Sequence, residues 1–124
     1  MINLSDKKCV ACEGGVPPLG EKEIGEYLGQ IKKGWEVIDP STSLDAARDK
    51  SLRASGKKIQ KEFKFKDFKE AMEFVNKVAA VAEEESHHPD IHIFYNLVEI
   101  ELWTHAIWGL SENDFILAAK VDNL

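Results

Sequence analysis

Asp90-Ile91-His92-Ile93-Phe94-Tyr95-Asn96-Leu97-Val98-Glu99-Ile100-Glu101-Leu102-Trp103-Thr104-His105 is the stretch on which the reading of the fold turns. Its apolar and polar residues alternate with the period of two that marks a strand with one buried face. The pattern predicts two strands, 90–94 and 97–105, returning on each other around Tyr95-Asn96. In the second, Val98, Ile100, Leu102 and Thr104 share one face, and Glu99, Glu101, Trp103 and His105 share the other. His92 falls opposite Ile91 and Ile93, on the solvent side.

Upstream of this pair the period changes to that of a helix. Phe68, Ala71, Met72, Val75, Val78, Ala79 and Ala82 form one apolar stripe, with Asp67 as N-cap and Glu70 at the third position of a capping box. Before that helix, 57–65 alternates again, with Ile59, Lys61, Phe63 and Phe65 on one side. Lys61 on an apolar face predicts that this strand lies at a sheet edge. Residues 34–38 read as a short strand. They follow a helix over 21–31, capped at Gly20 with Glu23 at its third position and a Leu19–Ile24 staple, whose apolar face is Ile24, Tyr27, Leu28 and Ile31. At the other end, Ser111 and Asp114 open a last helix with a Leu110–Phe115 staple and an inner face of Leu117, Ala118, Val121 and Leu124. Residues 40–56 are a long polar connection.

The order is helix, strand, strand, helix, strand, strand, helix. Strands that follow one another without a crossover helix pair antiparallel, and the helices must cover an apolar sheet face, so the class is an α+β two-layer sandwich. At 124 residues and 44% hydrophobic, the chain is sized for a single core. Residues 1–18 read as an N-terminal arm and 19–124 as one domain.

Composition narrows the function classes. No apolar run approaches a membrane span, and the first residues lack the order of a signal peptide, so a soluble, cytoplasmic protein is expected. Cys9 and Cys12 form a single Cys-x-x-Cys ahead of Gly- and Pro-rich residues, without the second pair of a zinc ribbon. The net charge is −6, and residues 83–114 carry eight acids and no Lys or Arg. All four histidines, His87, His88, His92 and His105, lie in that stretch, which a phosphate backbone would avoid. Residues 48–69 hold nine bases against three acids, but no aromatic side chains interleave with them on one strand face, so no nucleic acid partner is expected.

The acidic stretch is where chemistry concentrates. Pro89 stops the preceding helix and holds His88 extended, placing His87 and His88 at a helix-to-strand corner. An antiparallel return brings His105 toward them. Imidazoles titrate near neutrality, so a cluster of them suits elimination of water, one protonating the departing hydroxyl while another removes a neighbouring proton. Three histidines also satisfy the protein share of an open zinc site, although the spacing is not that of a zinc motif. A plainer role is available to any one of them, as a cation near a helix C-terminus.

Glu83-x-x-x-His87-His88-Pro89-Asp90-Ile91, Tyr95-Asn96, Thr104-His105 and Gly109-Leu110-Ser111 with Asp114 together resemble the signature of the pterin-4a-carbinolamine dehydratases. The arm Cys-Val-Ala-Cys-Glu-Gly-Gly-Val-Pro-Pro-Leu resembles an extension found on some members. The resemblance implies four antiparallel strands with three helices on one face. It implies dehydration of 4a-hydroxytetrahydropterin to quinonoid dihydropterin without metal or organic cofactor, recycling a tetrahydrobiopterin-type cofactor. By the same resemblance His87, His88 and His105 line the pterin pocket, with Glu83, Ser86, Pro89, Trp103, Thr104 and Asp114 binding substrate or supporting the site. His88 and His105 are expected as the acid–base pair and His87 as the residue that orients the ring. Ile91 stands where some members carry tryptophan, and Trp108 where a small residue is common. A homodimer or homotetramer is implied, as is an alternative role as a non-catalytic dimerisation or assembly partner.

Overall fold

In the computed structural model, which describes residues 4–9, 18–38, 57–107 and 109–124, the described residues build a four-stranded antiparallel sheet and three α-helices. The elements are α1 (Glu21–Leu28), β1 (Glu36–Ile38), β2 (Lys58–Lys64), α2 (Phe68–Glu85), β3 (Asp90–Phe94), β4 (Leu97–Leu102) and α3 (Glu112–Asp122). Cys12, Trp108 and residues 40–56, singled out above, lie outside the described residues, as does the His105 side chain.

The expected order of elements is present, and the strands lie β1-β2-β4-β3. Register aligns apolar residues across the central strands: Ile59 opposes Leu102, Phe63 opposes Val98, and Ile91 opposes Ile100. Ile59, Val98, Ile100 and Leu102 are wholly buried, and Ile24, Ala71, Phe74, Val78, Phe115 and Leu117 from the three helices join them in one core. Closing β3 onto β4 takes the two-residue turn Tyr95-Asn96, where Tyr95 adopts a left-handed φ of 52°. Asn96 ties this turn to the end of β2, its carbonyl accepting from the Phe65 amide at 2.8 Å and its side-chain amide donating to the Phe65 carbonyl at 3.1 Å.

Several sequence expectations are corrected. β2 is an inner strand, paired to β1 on one side and β4 on the other. Lys61 is tolerated on its apolar face because its ammonium meets Asp122 Oδ1 at 2.7 Å and lies over the Trp35 and Phe63 rings. The same carboxylate accepts from Trp35 Nε1 at 2.9 Å. Gly34 permits this packing: its φ is +112°, and a Cβ there would sit 3.0 Å from Lys61 Cε. On α2 the inner face is Ala71, Phe74, Val78 and Ala82, whereas Phe68 and Ala79 are exposed. The stripe is rotated because the Phe74 ring packs at a tilt against Phe63 and Phe65 of the β2 side, at ring separations of 4.7 and 4.9 Å. α1 stops at Leu28, short of Ile31.

β4 ends at Leu102, and His105 begins a 3₁₀ turn, His105–Ile107, where a continuing strand was expected. The chain bends there because Thr104 pairs with Gly109 as an isolated bridge, the Thr104 amide donating to the Gly109 carbonyl at 2.8 Å. α3 buries Asn113 through Ala118 consecutively, and Leu124 is exposed. That burial on more than one side arises because the N-terminal 3₁₀ turn Leu4–Asp6 packs against α3, with Lys120 donating to the Ser5 carbonyl at 2.9 Å. A helix covered all round carries no polar stripe.

The side chains of Lys61 and Asp122 are only 15% and 2% exposed, so removing one partner strands the other's charge. Asp122→Ala is expected to cost about 3 kcal/mol in denaturant unfolding. Asp122→Asn, whose amide oxygen still accepts from Trp35, is expected to cost visibly less.

Candidate active site

The site begins with how α2 ends. Ser86 takes the left-handed conformation (φ 52°, ψ 36°), and the His87 amide reaches back to the Ala82 carbonyl at 3.1 Å. This is a left-handed C-terminal cap made without glycine, followed by Pro89, which cannot continue a helix. A β-branched residue resists that conformation, so Ser86→Val is expected to lower stability by about 1–2 kcal/mol in thermal or denaturant unfolding.

The corner delivers His87 inward and leaves His88 outward. His87 Nε2 lies 2.6 Å from Asp114 Oδ1, with the imidazole 11% exposed and the carboxylate wholly buried. Asp114 Oδ2 accepts from Thr104 Oγ1 at 2.8 Å and from the Ser111 amide at 2.9 Å, the second bond closing the N-terminus of α3. Thr104 has one hydroxyl proton and gives it to Asp114, so Ser111 Oγ, 2.8 Å away, donates to Thr104. The carboxylate is thus all acceptor. His87 then carries its proton on Nε2 in the neutral form, and Nδ1 is the ring atom left to accept one.

His88 Nε2 meets Glu83 Oε1 at 2.8 Å, with both side chains largely exposed. Trp103 Nε1 donates to Asp90 Oδ2 at 2.9 Å, and Lys58 Nζ lies 5.1 Å from the centre of the Trp103 ring. Ser86, His87, His88, Pro89, Trp103 and Thr104 all line one cleft of about 730 Å³, a volume within the range that takes a small heterocycle. Two of the expected residues are outside its lining: Asp114, buried against His87, and Glu83, exposed beside His88. The His105 backbone follows Thr104 directly. His92 is half exposed, 3.6 Å from Glu101, and is not part of the cleft lining. Among the described residues no group of three His, Cys, Asp or Glu side chains is arranged to hold a metal ion.

Sequence reasoning missed part of the lining. Lys8, Cys9, Glu85, Asp90 and Asn113 also face the cleft. Asp90, beside Pro89 at the start of β3, was detectable as a polar strand end. The arm residues carried no local signal, because their partners are some 75–105 positions away: the Cys9 amide donates to Glu85 Oε2 at 3.0 Å, and Lys7 Nζ meets Glu112 Oε1 at 2.9 Å. Burial pushes the Glu85 carboxyl up, but the Cys9 amide, the Lys120 ammonium and then the Lys8 charge outweigh it and hold it below the ordinary value of 4.5. Glu112 is lowered chiefly by its hydrogen bond to Lys7, with burial opposing and the Tyr27 hydroxyl assisting.

Two depressed carboxyls stabilise the fold above the ordinary glutamate value and lose that contribution as the pH falls through their lowered folded values. Glu85→Gln is therefore expected to be less stable than the parent at about pH 6, with the gap closing toward about pH 3, as read by denaturant midpoints at each pH.

Known proteins share this architecture. Residues 17–124 match the family described as pterin 4 alpha carbinolamine dehydratase. A provisionally named pterin-4-alpha-carbinolamine dehydratase of Rickettsia bellii is 47% identical over 122 residues, covering 98% of this chain and 94% of its own length. One of the same provisional name from Nitrosomonas eutropha is 45% identical over 124 residues, covering all of this chain and 95% of its own length. A crystal structure described as a transcriptional coactivator/pterin dehydratase from Brucella melitensis superposes with a TM-score of 0.68 at 32% identity, over 86% of this chain and 96% of the other. The chain belongs to the pterin 4 alpha carbinolamine dehydratase family.

Proposed function

From that membership, we propose that the protein dehydrates 4a-hydroxytetrahydropterin to quinonoid dihydropterin and so recycles a tetrahydrobiopterin-type cofactor. The observation that carries the reading is the His87 imidazole held by the buried Asp114 carboxylate at 2.6 Å, in a cleft that His88 also lines. An imidazole fixed in one tautomer beside a ligand-sized space is a preorganised polar group, whose orientation has been set before the reaction begins.

In the reaction the hydroxyl on carbon 4a takes a proton and leaves as water, and nitrogen 5 loses its proton as the new double bond forms. His88 and His105 serve as the acid–base pair. His88 is the more exposed of the two described site imidazoles and is free to exchange protons with the cleft and with solvent. Its Glu83 partner, 2.8 Å away, steadies the ring. His87, tied to Asp114, orients the pterin. Ser86, Pro89, Trp103 and Thr104 bound the substrate. The indole of Trp103 is turned by its bond to Asp90 and presents a flat apolar surface suited to a fused heterocycle. No metal or organic cofactor enters any step. We place the enzyme in the cytoplasm as a homodimer or homotetramer, with residues 1–18 as its arm and 19–124 as its catalytic domain.

A second reading, a dimerisation or assembly partner on the same fold, is favoured by the coactivator half of the Brucella protein's description. Dehydration of 4a-hydroxytetrahydropterin, followed with a chelator present, separates the two. The expected result is turnover that survives chelation and falls by about 10²–10³ in His88→Ala and His105→Ala. Each of these variants is also expected to lose one limb of the pH–rate profile. A folded protein with no rate above the uncatalysed one would favour the partner role.

A further inference from the structure

Cys9 touches both segments that carry the His87–Asp114 pair. Its amide donates to Glu85 Oε2 at 3.0 Å, and its thiol lies 3.6 Å from the Asn113 main-chain oxygen. Glu85 is the last residue of α2, two positions before His87, and Asn113 immediately precedes Asp114. The arm is itself well anchored. Leu4 is 4% exposed in the core, Lys7 meets Glu112, and Lys120 reaches both the Ser5 carbonyl at 2.9 Å and Glu85 Oε1 at 3.3 Å. Ser5, Lys120, Glu85 and Cys9 thereby make a closed chain of polar contacts running from the arm through α3 and α2 and back. The Glu85 side chain is only 5% exposed. A carboxylate buried that far must keep its partners, so the arm and the last turn of α2 hold each other in place.

We propose that residues 4–9, acting through Cys9, are a positioning element: they set the separation of His87 from Asp114 and form the outer wall of the cleft with Lys8. Cys9 acts through Glu85 and Asn113 and is no catalytic residue. The consequence for turnover rests on the dehydratase reading; the consequence for the His87–Asp114 hydrogen bond does not. Hydrogen-bond geometry between two secondary elements is set by whatever fixes those elements, and small misplacements of a group that orients the substrate cost large factors in rate.

The test uses the full chain and three variants, Glu85→Ala, Glu85→Gln and Cys9→Ala. It has two readouts, the NMR resonance of the His87 Nε2 proton and the steady-state kinetics of 4a-hydroxytetrahydropterin dehydration. Glu85→Ala removes the acceptor of the Cys9 amide and is expected to broaden or shift the Nε2 proton upfield. It is also expected to lower kcat about tenfold with KM changed less than about twofold. Glu85→Gln keeps an oxygen for the Cys9 amide and is expected to recover most of both signals. Cys9→Ala, which leaves the fold's charges untouched, is expected to move both readouts in the same direction by a smaller factor, and it carries the test should Glu85→Ala not fold. Variants that melt earlier while keeping the parent's Nε2 resonance and kcat would overturn the proposal. So would a rise in KM at unchanged kcat, which would mean direct contact with the ligand. A parent protein without turnover would defeat the dehydratase reading alone, since the resonance still decides the positioning role.

Discussion

A single buried carboxylate organises this molecule around its cleft. Asp114 has no exposed surface, and an ionised group so placed is tolerated only with its hydrogen-bonding capacity filled. Three different parts of the chain fill it: the α2–β3 corner through His87, the segment that follows β4 through Thr104, and the start of α3 through the Ser111 amide. The carboxylate also sits where a helix is most receptive to negative charge, among the unpaired amides of its first turn. Each contact has a structural use, and together they hold the imidazole in one orientation.

The other end of α3 poses the opposite problem. Asp122 lies at the helix C-terminus, where the peptide dipoles disfavour an anion, and its side chain is 2% exposed. The structure compensates with Lys61 from the middle of the sheet and the indole of Trp35. These two buried acids of one helix therefore serve different ends. Asp114 joins the elements that form the cleft, and Asp122 locks the same helix onto β2 and the loop before β1. Between them, Asn113 through Ala118 are buried consecutively, because the sheet lies on one side and the N-terminal turn on another.

Local patterning made the elements legible. Alternation over 90–102, the Asp67 cap and the helical recurrence of Ala71, Val78 and Ala82 each arise within a few residues and need no distant partner. The corner at His87–Pro89 was legible for the same reason, since proline acts on its immediate neighbours. The misreadings share one cause. Lys61 looked like an edge residue because its counter-charge is 61 positions away. Phe74 was missed on α2 because the aromatic cluster it joins belongs to another strand. His105 was drawn into β4 because alternation continues past the point where the Thr104–Gly109 bridge turns the chain.

Within the site the division is similar. The residue types, the His-His-Pro corner and the later Thr104, Ser111 and Asp114 stood out in the sequence, because caps and corners are specified by short-range chemistry. That His87 takes the buried partner while His88 faces outward was decided by folding, since adjacent side chains diverge and only the position of Asp114 selects between them. The arm's place on the cleft was likewise decided in three dimensions: Cys9 meets Glu85 across 76 positions and Asn113 across 104. The sequence by itself determined which segments become helices and strands and which residues bear protons, through periodicity and local steric preference. Only the tertiary structure decided which of those residues are paired, buried and turned toward one another, because those depend on contacts between segments that no local pattern encodes.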